Sequence, residues 1–398
     1  MSVPVAAGSH LHVITPGDHF SPDTGSAVPT VVHGLAAATP PGHPRTRVAV
    51  AHGTYRDHYP SADVVGYDAA PGRRGDRLLD GAAAVLGLPR PGARRSLRPT
   101  VRDQGSWAPS VVVAHNAPQL ARLVDTRRHA SVVWFHNELL RTYASRAAGN
   151  TLAPAAALVC VSDFLAERTA ARLPVTLHGR VATVPNGVDT TFFSPDGHEP
   201  GEVLSIVFVG RMVREKGPDL LLDALARLGR ADLRATLVGT PHFAPDAPLS
   251  PYERGLRRLA APLGDRVTWL PFRPREQVAA ILRAADVVVV PSRWDEPFAL
   301  TVLEGMASGA AVVAADVGGI PEAAGDAGLL VPPTGPSFAD ALGALADDRG
   351  LLAARRAAAR EHAVAHDWAV SRRRFDTELA RLGITARDVG AAHRGVNR

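Results

Sequence analysis

The sequence predicts two doubly wound α/β units, each a mostly parallel sheet layered between helices. Three observations carry that prediction: short β-rich runs alternate with helix-forming stretches, the alternation occurs twice, and a turn-rich segment separates the two rounds. Length agrees, since 398 residues with 46% hydrophobic side chains suit two ordinary domains that each bury a core.

In the first round His10 to Thr15, Val48 to His52, Ser110 to Ala114, Ser131 to Phe135 and Ala156 to Val161 read as buried strands. Helical patterns lie at Val28 to Ala38, Leu120 to Thr126 and Phe164 to Leu173. In the second round the strands are Leu204 to Val209, Ala235 to Val238, Val267 to Leu270, Val287 to Val290 and Ala311 to Ala314, with helices such as Pro218 to Leu228 and Gln277 to Ala284 between them. The segment Ser194 to Gly201 reads as a hinge. The expected division is a first domain over 1–195, a second over 196–367, a helix over 368–382 returning to the first domain, and a flexible tail over 383–398.

No stretch reaches the roughly 18 consecutive apolar residues of a membrane-spanning helix. The start lacks the basic head and long apolar middle of a secretory signal, so a cytoplasmic location is expected. The lone cysteine, Cys160, lies in an apolar run and reads as a buried, inert thiol, which excludes a disulfide or zinc framework. Of the 44 basic residues, Lys216 is the single lysine. Up to Pro195 there are 19 basic and 13 acidic residues, and after it 25 and 26, so the basicity belongs to the first domain. Its sources are Arg73 to Arg77 and Arg90 to Arg102, which suit either solvated loops or a phosphate-bearing or membrane-surface partner. No aromatic residues interleave these arginines, and nucleic acid is not expected as a partner.

Ligands of open parallel sheets collect beyond the carboxyl ends of the strands, so two such domains facing one another form a loop-lined cleft. Gly210 to Pro218 follows a strand and opens a helix, placing Arg211 and Lys216 next to the positive end of a helix dipole, an anion site in outline. After the strand Val287 to Val290 comes Pro291 to Ala307, with Glu296 and Glu304 eight apart. A helix beginning near Ala299 leaves Glu296 in the loop before it, backbone N–H groups of Phe298, Ala299 and Leu300 at its start, and Glu304 more than a turn further in. Free N–H groups suit a phosphate and sugar hydroxyls, and carboxylates on either side suit a ribose and a second sugar.

These residues resemble the E-x7-E signature of glycosyltransferase family 4, retaining enzymes of the GT-B fold, in which two Rossmann-like domains face across a cleft. The likeness runs from the first strand to about Trp368. The loop Thr24 to Val28, with Gly25, resembles the glycine-rich turn facing the donor diphosphate, and Trp134 to Asn137 resembles the strand-end histidine segment beside the reacting sugar. Val184 to Asp189 looks like the family's NGVD segment, and Phe208 to Gly217 like its phosphate clamp. Gly239, Phe272 and Arg273 stand where family loops border the nucleotide base, and Gly318 to Glu322 forms the next strand-end turn. The chain departs from the usual EPFG and EAMA by having Ala299 and Gly305. The methyl at 299 is expected to narrow the sugar's space, and Gly305 costs roughly 1 kcal/mol inside a helix, for which close packing is a reason.

The resemblance implies retention of anomeric configuration by attack on the same face, the donor's phosphate oxygen taking the acceptor proton. Arg211, Lys216 and helix-start amides take the place of a metal on the departing diphosphate, and the chain contains no D-x-D triplet. No cofactor or divalent metal is expected. Glu296 and His136 are the expected catalytic residues, Glu304 the ribose ligand, and His115 and Asn137 the acceptor contacts. The donor is expected to be a UDP-sugar, with a GDP-sugar open, and the acceptor a hydroxyl of a small molecule or glycan in secondary-metabolite or cell-envelope biosynthesis. A catalytically silent nucleotide-sugar binder and a nucleotide-sugar epimerase are the alternatives; a pyridoxal-dependent phosphorylase lacks a spare lysine.

Overall fold

A computed structural model describes residues 9–15, 17–241 and 248–384. These fall into two compact units, one holding residues up to Pro22, Ser26–Pro185 and the segment from Trp368, the other holding Asp23–Gly25 and Asn186–Asp367. Most of the expected tail, from 385 onward, lies outside the described residues.

The first unit contains a sheet of seven strands: β1 (His10–Val13), β2 (Arg47–Ala51), β3 (Asp63–Tyr67), β4 (Val111–His115), β5 (Ala130–Phe135), β6 (Ala157–Cys160) and β7 (Val181–Thr183). All pairings are parallel and the order is β3-β2-β1-β4-β5-β6-β7. The second unit contains β8 (Leu204–Val209), β9 (Leu233–Val238), β10 (Val267–Leu270), β11 (Val287–Val290), β12 (Ala311–Ala315) and β13 (Leu329–Val331), parallel in the order β10-β9-β8-β11-β12-β13. Both are doubly wound sheets. The order of the first reverses between β1 and β4, that of the second between β8 and β11, and at such a reversal adjacent loops part to leave a crevice.

Central strands such as β4 and β11 are buried along their whole length, which is why they read as continuous apolar runs. Strands β3, β7 and β13 escaped the sequence reading; each is an edge strand with little or no fully buried surface. The helix expected over Leu120 to Thr126 is instead a 3-10 turn, Pro118–Arg122. It cannot propagate because the Asp125 N–H donates to Gln104 Oε1 at 2.7 Å, drawing the chain away. Arg90 to Arg102, for which a solvated loop was one reading, is largely helical, through Pro91–Leu97 and the 3-10 turn Arg98–Val101.

The boundary expected after 195 falls at Pro185 instead. The N–H of Val188 donates to His366 O at 3.0 Å, and Thr190 Oγ1 donates to Asp367 at 2.7 Å. Arg360 donates to the carbonyls of Phe193 and Thr190, and Phe193 is buried in the second unit's core. Turn composition at Ser194 to Gly201 therefore marks a bend within the second unit.

In the first unit the helix Trp368–Arg381 lies along the helix Ala27–Ala37: Trp368 fills the space above Gly34, and Arg372 reaches Thr39 Oγ1 at 2.9 Å. Cys160 is fully buried, and burial pushes its thiol up to about 12. Among the described residues no helix is long and apolar enough to cross a membrane.

Gly305 has the packing reason its position required. A Cβ there would lie 2.9 Å from the Cβ of Val288, a β-branched side chain fixed in β11. Gly305→Ala gains about 1 kcal/mol of helix propensity and meets an overpacking cost of about 1–3 kcal/mol. Since Val288 has no free rotamer to yield, the expected outcome is net destabilisation, read as a lower urea midpoint at unchanged slope.

Candidate active site

In the second unit the expected donor residues other than Gly25 and Glu304 lie beyond the carboxyl end of a strand or at the start of the helix that follows, and Glu304 lies more than a turn into that helix. Arg211 and Lys216 follow β8, Gly239 follows β9, Phe272 and Arg273 follow β10, and Glu296 to Leu300 follow β11. The β8 and β11 loops flank the reversal point, and they are pressed together backbone to backbone. Gly217 has φ +67°, and a Cβ there would stand 1.9 Å from Pro291 O, so glycine is required on both counts. The Arg293 N–H donates to Glu215 O at 2.8 Å, and its guanidinium grips Asp219 at 2.5 and 2.6 Å. Tyr252 also donates to Asp219, at 2.7 Å. Burial opposes the charge of Asp219, but these two donors outweigh it and hold the carboxyl below its usual range.

That clamp delivers Lys216 to Glu296. Nζ lies 2.5 Å from Glu296 Oε1, and Ser292 Oγ donates to the same oxygen at 2.7 Å. Glu296 is 3% exposed, and among the described residues no hydrogen bond occupies its second oxygen, Oε2. Its backbone is fixed as well: Glu296 O accepts from Gly319 N–H at 2.6 Å, and Gly318, at φ +59°, packs where a Cβ would strike that backbone. Gly239, at φ +136°, packs on Gly210 O in the same way.

The helix Leu300–Ala307 starts at Ala299, whose side chain cannot cap it; the Val302 N–H turns back to Ala299 O at 3.1 Å, and no side chain of the N-cap residue takes the N–H groups before it. The Ala299 methyl belongs to the buried apolar cluster with Val302 and Leu303, so it is tied into the core. Glu304 receives Arg275 Nη1 at 3.0 Å, and the same guanidinium lies 4.8 Å from the Phe193 ring. Sequence reasoning missed Arg275; it opens the helix Arg275–Arg283, and nothing in local spacing ties it to Glu304. Arg211 is exposed and makes no ion pair among the described residues.

The first unit carries its own cluster at the β1–β4 reversal. His12 Nδ1 lies 2.7 Å from His115 Nε2, and His115 Nδ1 lies 2.8 Å from His136 Nε2. His115 and His136 stack on Trp134. His115 is 0% exposed, which overturns its reading as an acceptor contact: it stands behind His136, between two other imidazoles. His136 keeps 8% exposure, and Asn137 and Gly25 are exposed. Asn116 was not foreseen. It adopts φ +51°, and its Oδ1 accepts the His136 N–H at 2.8 Å, setting the turn that carries His136.

Burial drives all three imidazoles neutral. His12 and His136 are lowered to about 3, His12 also by the charge of Arg372, and His115 falls well below its ordinary value. Three neutral imidazoles in series share protons in two ways. With every proton directed towards His136, its Nδ1 is an N–H donor; with every proton reversed, Nδ1 is an acceptor. Among the described residues no group of three or more His, Cys, Asp or Glu could hold a metal ion.

Residues 204–348 match the family model described as Glycosyl transferases group 1. A D-inositol 3-phosphate glycosyltransferase of Nocardia farcinica is 40% identical over 240 residues, 53% of this chain and 51% of that protein. The chain thus spans about half the length of the curated relatives it matches. Among solved structures, Anabaena HepE in complex with UDP superposes with a TM-score of 0.70 at 18% identity, covering 94% of this chain and 100% of that one. Sucrose-phosphate synthase of Thermosynechococcus elongatus gives 0.70 at 21% identity, covering 96% and 100%.

The histidine chain sets a pH dependence. An unfolded imidazole titrates near 6.5 and the folded His12 and His136 near 3, so in between the unfolded state binds more protons. Stability is complete above about pH 6.5 and falls as pH drops towards 3. Guanidine unfolding of the first unit is expected to show a midpoint that declines between pH 6.5 and 4.5, above the range of ordinary carboxylates, and more gently in His12→Asn. A midpoint flat across that window would contradict a neutral chain.

Proposed function

We propose that this chain, a GT-B protein whose residues 204–348 belong with the group 1 glycosyl transferases, is a retaining glycosyltransferase that moves a sugar from a nucleotide diphosphate to a hydroxyl without a divalent metal. The observation that carries the reading is the Lys216–Glu296 pair at the reversal point of the second sheet, with exposed Arg211 in the same loop.

Lys216 has three N–H donors, and Glu296 uses one. The others, with Arg211 and the first-turn amides of Leu300–Ala307, suit the charge that grows on a departing diphosphate. Glu296 Oε2 is the acceptor for hydroxyls of the transferred sugar. Glu304, already oriented by Arg275, is the ligand of the ribose. Gly239, Phe272 and Arg273 are assigned to the base, and Gly25, in the loop after β1, to the diphosphate. His136 is the neutral hydrogen-bonding group assigned to the transferred sugar, and His115 and His12 set whether its Nδ1 presents an N–H or a lone pair. The leaving phosphate oxygen takes the acceptor proton, so no general base is asked of the protein, and the acceptor attacks from the side the diphosphate leaves. Asn137 stands on the acceptor side.

A UDP-sugar is the donor to test first, because Anabaena HepE, which shares this fold, forms a complex with UDP. A phosphorylated polyol is the acceptor to test first: the first unit carries the basic surplus, and the curated relatives are named for D-inositol 3-phosphate. The expected site of action is the cytoplasm, in biosynthesis.

With EDTA present, saturating UDP is expected to raise the melting temperature by about 5 °C, as ligand at a hundred times its dissociation constant adds about 2.7 kcal/mol. Arg211→Ala, an exposed position, should lose most of that rise while melting normally without ligand. No shift with UDP, GDP, ADP or TDP would remove the donor assignment. Glu296→Gln, which keeps shape and loses charge, is expected to cut kcat by about 10²–10³; a variant at full activity would take Glu296 out of the chemistry. A protein that binds nucleotide but transfers no sugar would be the silent homologue.

A further inference from the structure

The helix Asp76–Val85 in the first unit is folded inside out. At 3.6 residues per turn, Leu78, Leu79, Ala82, Val85 and Leu86 fall within a sector of about 120°. That apolar face would ordinarily be buried. Here Leu78 is 81% exposed, Leu79 54%, Val85 86% and Leu86 70%, and Leu88 in the following turn is 55% exposed. Five of the twelve large hydrophobics that stand exposed among the described residues lie in this stretch.

The side turned to the protein is the polar one. Asp80 accepts the N–H groups of Gly92 and Ala93 at 2.7 and 2.9 Å, capping the next helix. Asp76 pairs with Arg95 and accepts the Arg73 N–H. Ala83 is the one fully buried residue of the helix. The outward orientation is also locked at the C-terminal end, where Gly87, at φ +66°, and Leu88 return their N–H groups to Ala84 and Ala83, leaving Leu88 pointing into solvent.

Turning both aspartates inward leaves the rim of the apolar face positive. Arg73, Arg74 and Arg77 are exposed, and among the described residues their side chains make no ion pair. An apolar, convex helical face flanked by exposed arginines matches a bilayer interface: leucine and valine side chains enter the acyl boundary, and guanidinium groups stay at the phosphate level.

We propose that this face docks the protein on an anionic membrane surface, lying in the interface with Leu78, Val85 and Leu86 inserted and Arg73, Arg74 and Arg77 on the lipid phosphates. The proposal stands apart from the sugar-transfer reading, because none of these residues belongs to the site described above.

The test is flotation of the full chain with vesicles of phosphatidylcholine alone and of phosphatidylcholine containing phosphatidylglycerol. Binding is expected to the anionic vesicles and to fall steeply as salt is raised. Leu78→Ser/Val85→Ser/Leu86→Ser and, separately, Arg73→Ser/Arg74→Ser/Arg77→Ser should each weaken it about tenfold or more, with the melting temperature unchanged because the altered side chains are exposed. Equal binding to neutral vesicles, binding indifferent to both variants, or no binding at all would overturn the proposal. So would sedimentation showing a dimer of the parent that the leucine variant abolishes, which would assign the face to a second copy of the chain.

Discussion

The second unit is organised around one contact, the backbone of Gly217 lying against the carbonyl of Pro291. A parallel sheet whose order reverses between β8 and β11 sends the helices after those two strands to opposite faces, and the loops that lead to them would diverge unless something held them. The bare glycine lets the chains meet, Arg293 and Asp219 fasten them, and only then do Lys216 and Glu296 come within an ion pair's reach. Holding the Glu296 carboxylate at 3% exposure carries a desolvation penalty that the serine and lysine donors offset. The arrangement is favourable only while the loops stay fastened.

The first unit solves a different problem with the same topology. At its reversal point stand three imidazoles kept neutral by burial, His115 and His136 stacked on Trp134 and His12 stacked on His115. A neutral chain is rigid in position yet undecided in polarity: reversing it passes each shared proton to the neighbouring ring while His136 Nδ1 gives up a proton and His12 Nε2 gains one, and the rings keep their places. The left-handed Asn116 supports that rigidity from the backbone side.

How far the sequence could be read follows from these contacts. Buried central strands announce themselves as apolar runs, and Val287 to Val290 was legible to the residue. Edge strands β3, β7 and β13 were not, because an edge exposes one side and dilutes the pattern. Lys216, Glu296 and Glu304 were singled out from loop position and spacing. Arg275 and Asn116 act through contacts that link separate elements, and local periodicity carries no trace of such partners. His115 shows the converse error: a histidine at a strand end invites a ligand role, and depth beneath the surface is a property of neighbours. The bend at Ser194 to Gly201 misled for a similar reason, since turn residues mark where a chain changes direction and not where contacts cease.

The ion pair at the centre of the second unit has a practical corollary. In a chain of 398 residues Lys216 is the single lysine, and its side chain retains 26% exposure. Reductive methylation with isotopic formaldehyde would therefore mark one side-chain nitrogen without mutagenesis, preserving its positive charge. The resulting resonance would report on Glu296 directly, giving a spectroscopic view of the site from a composition skewed almost wholly to arginine.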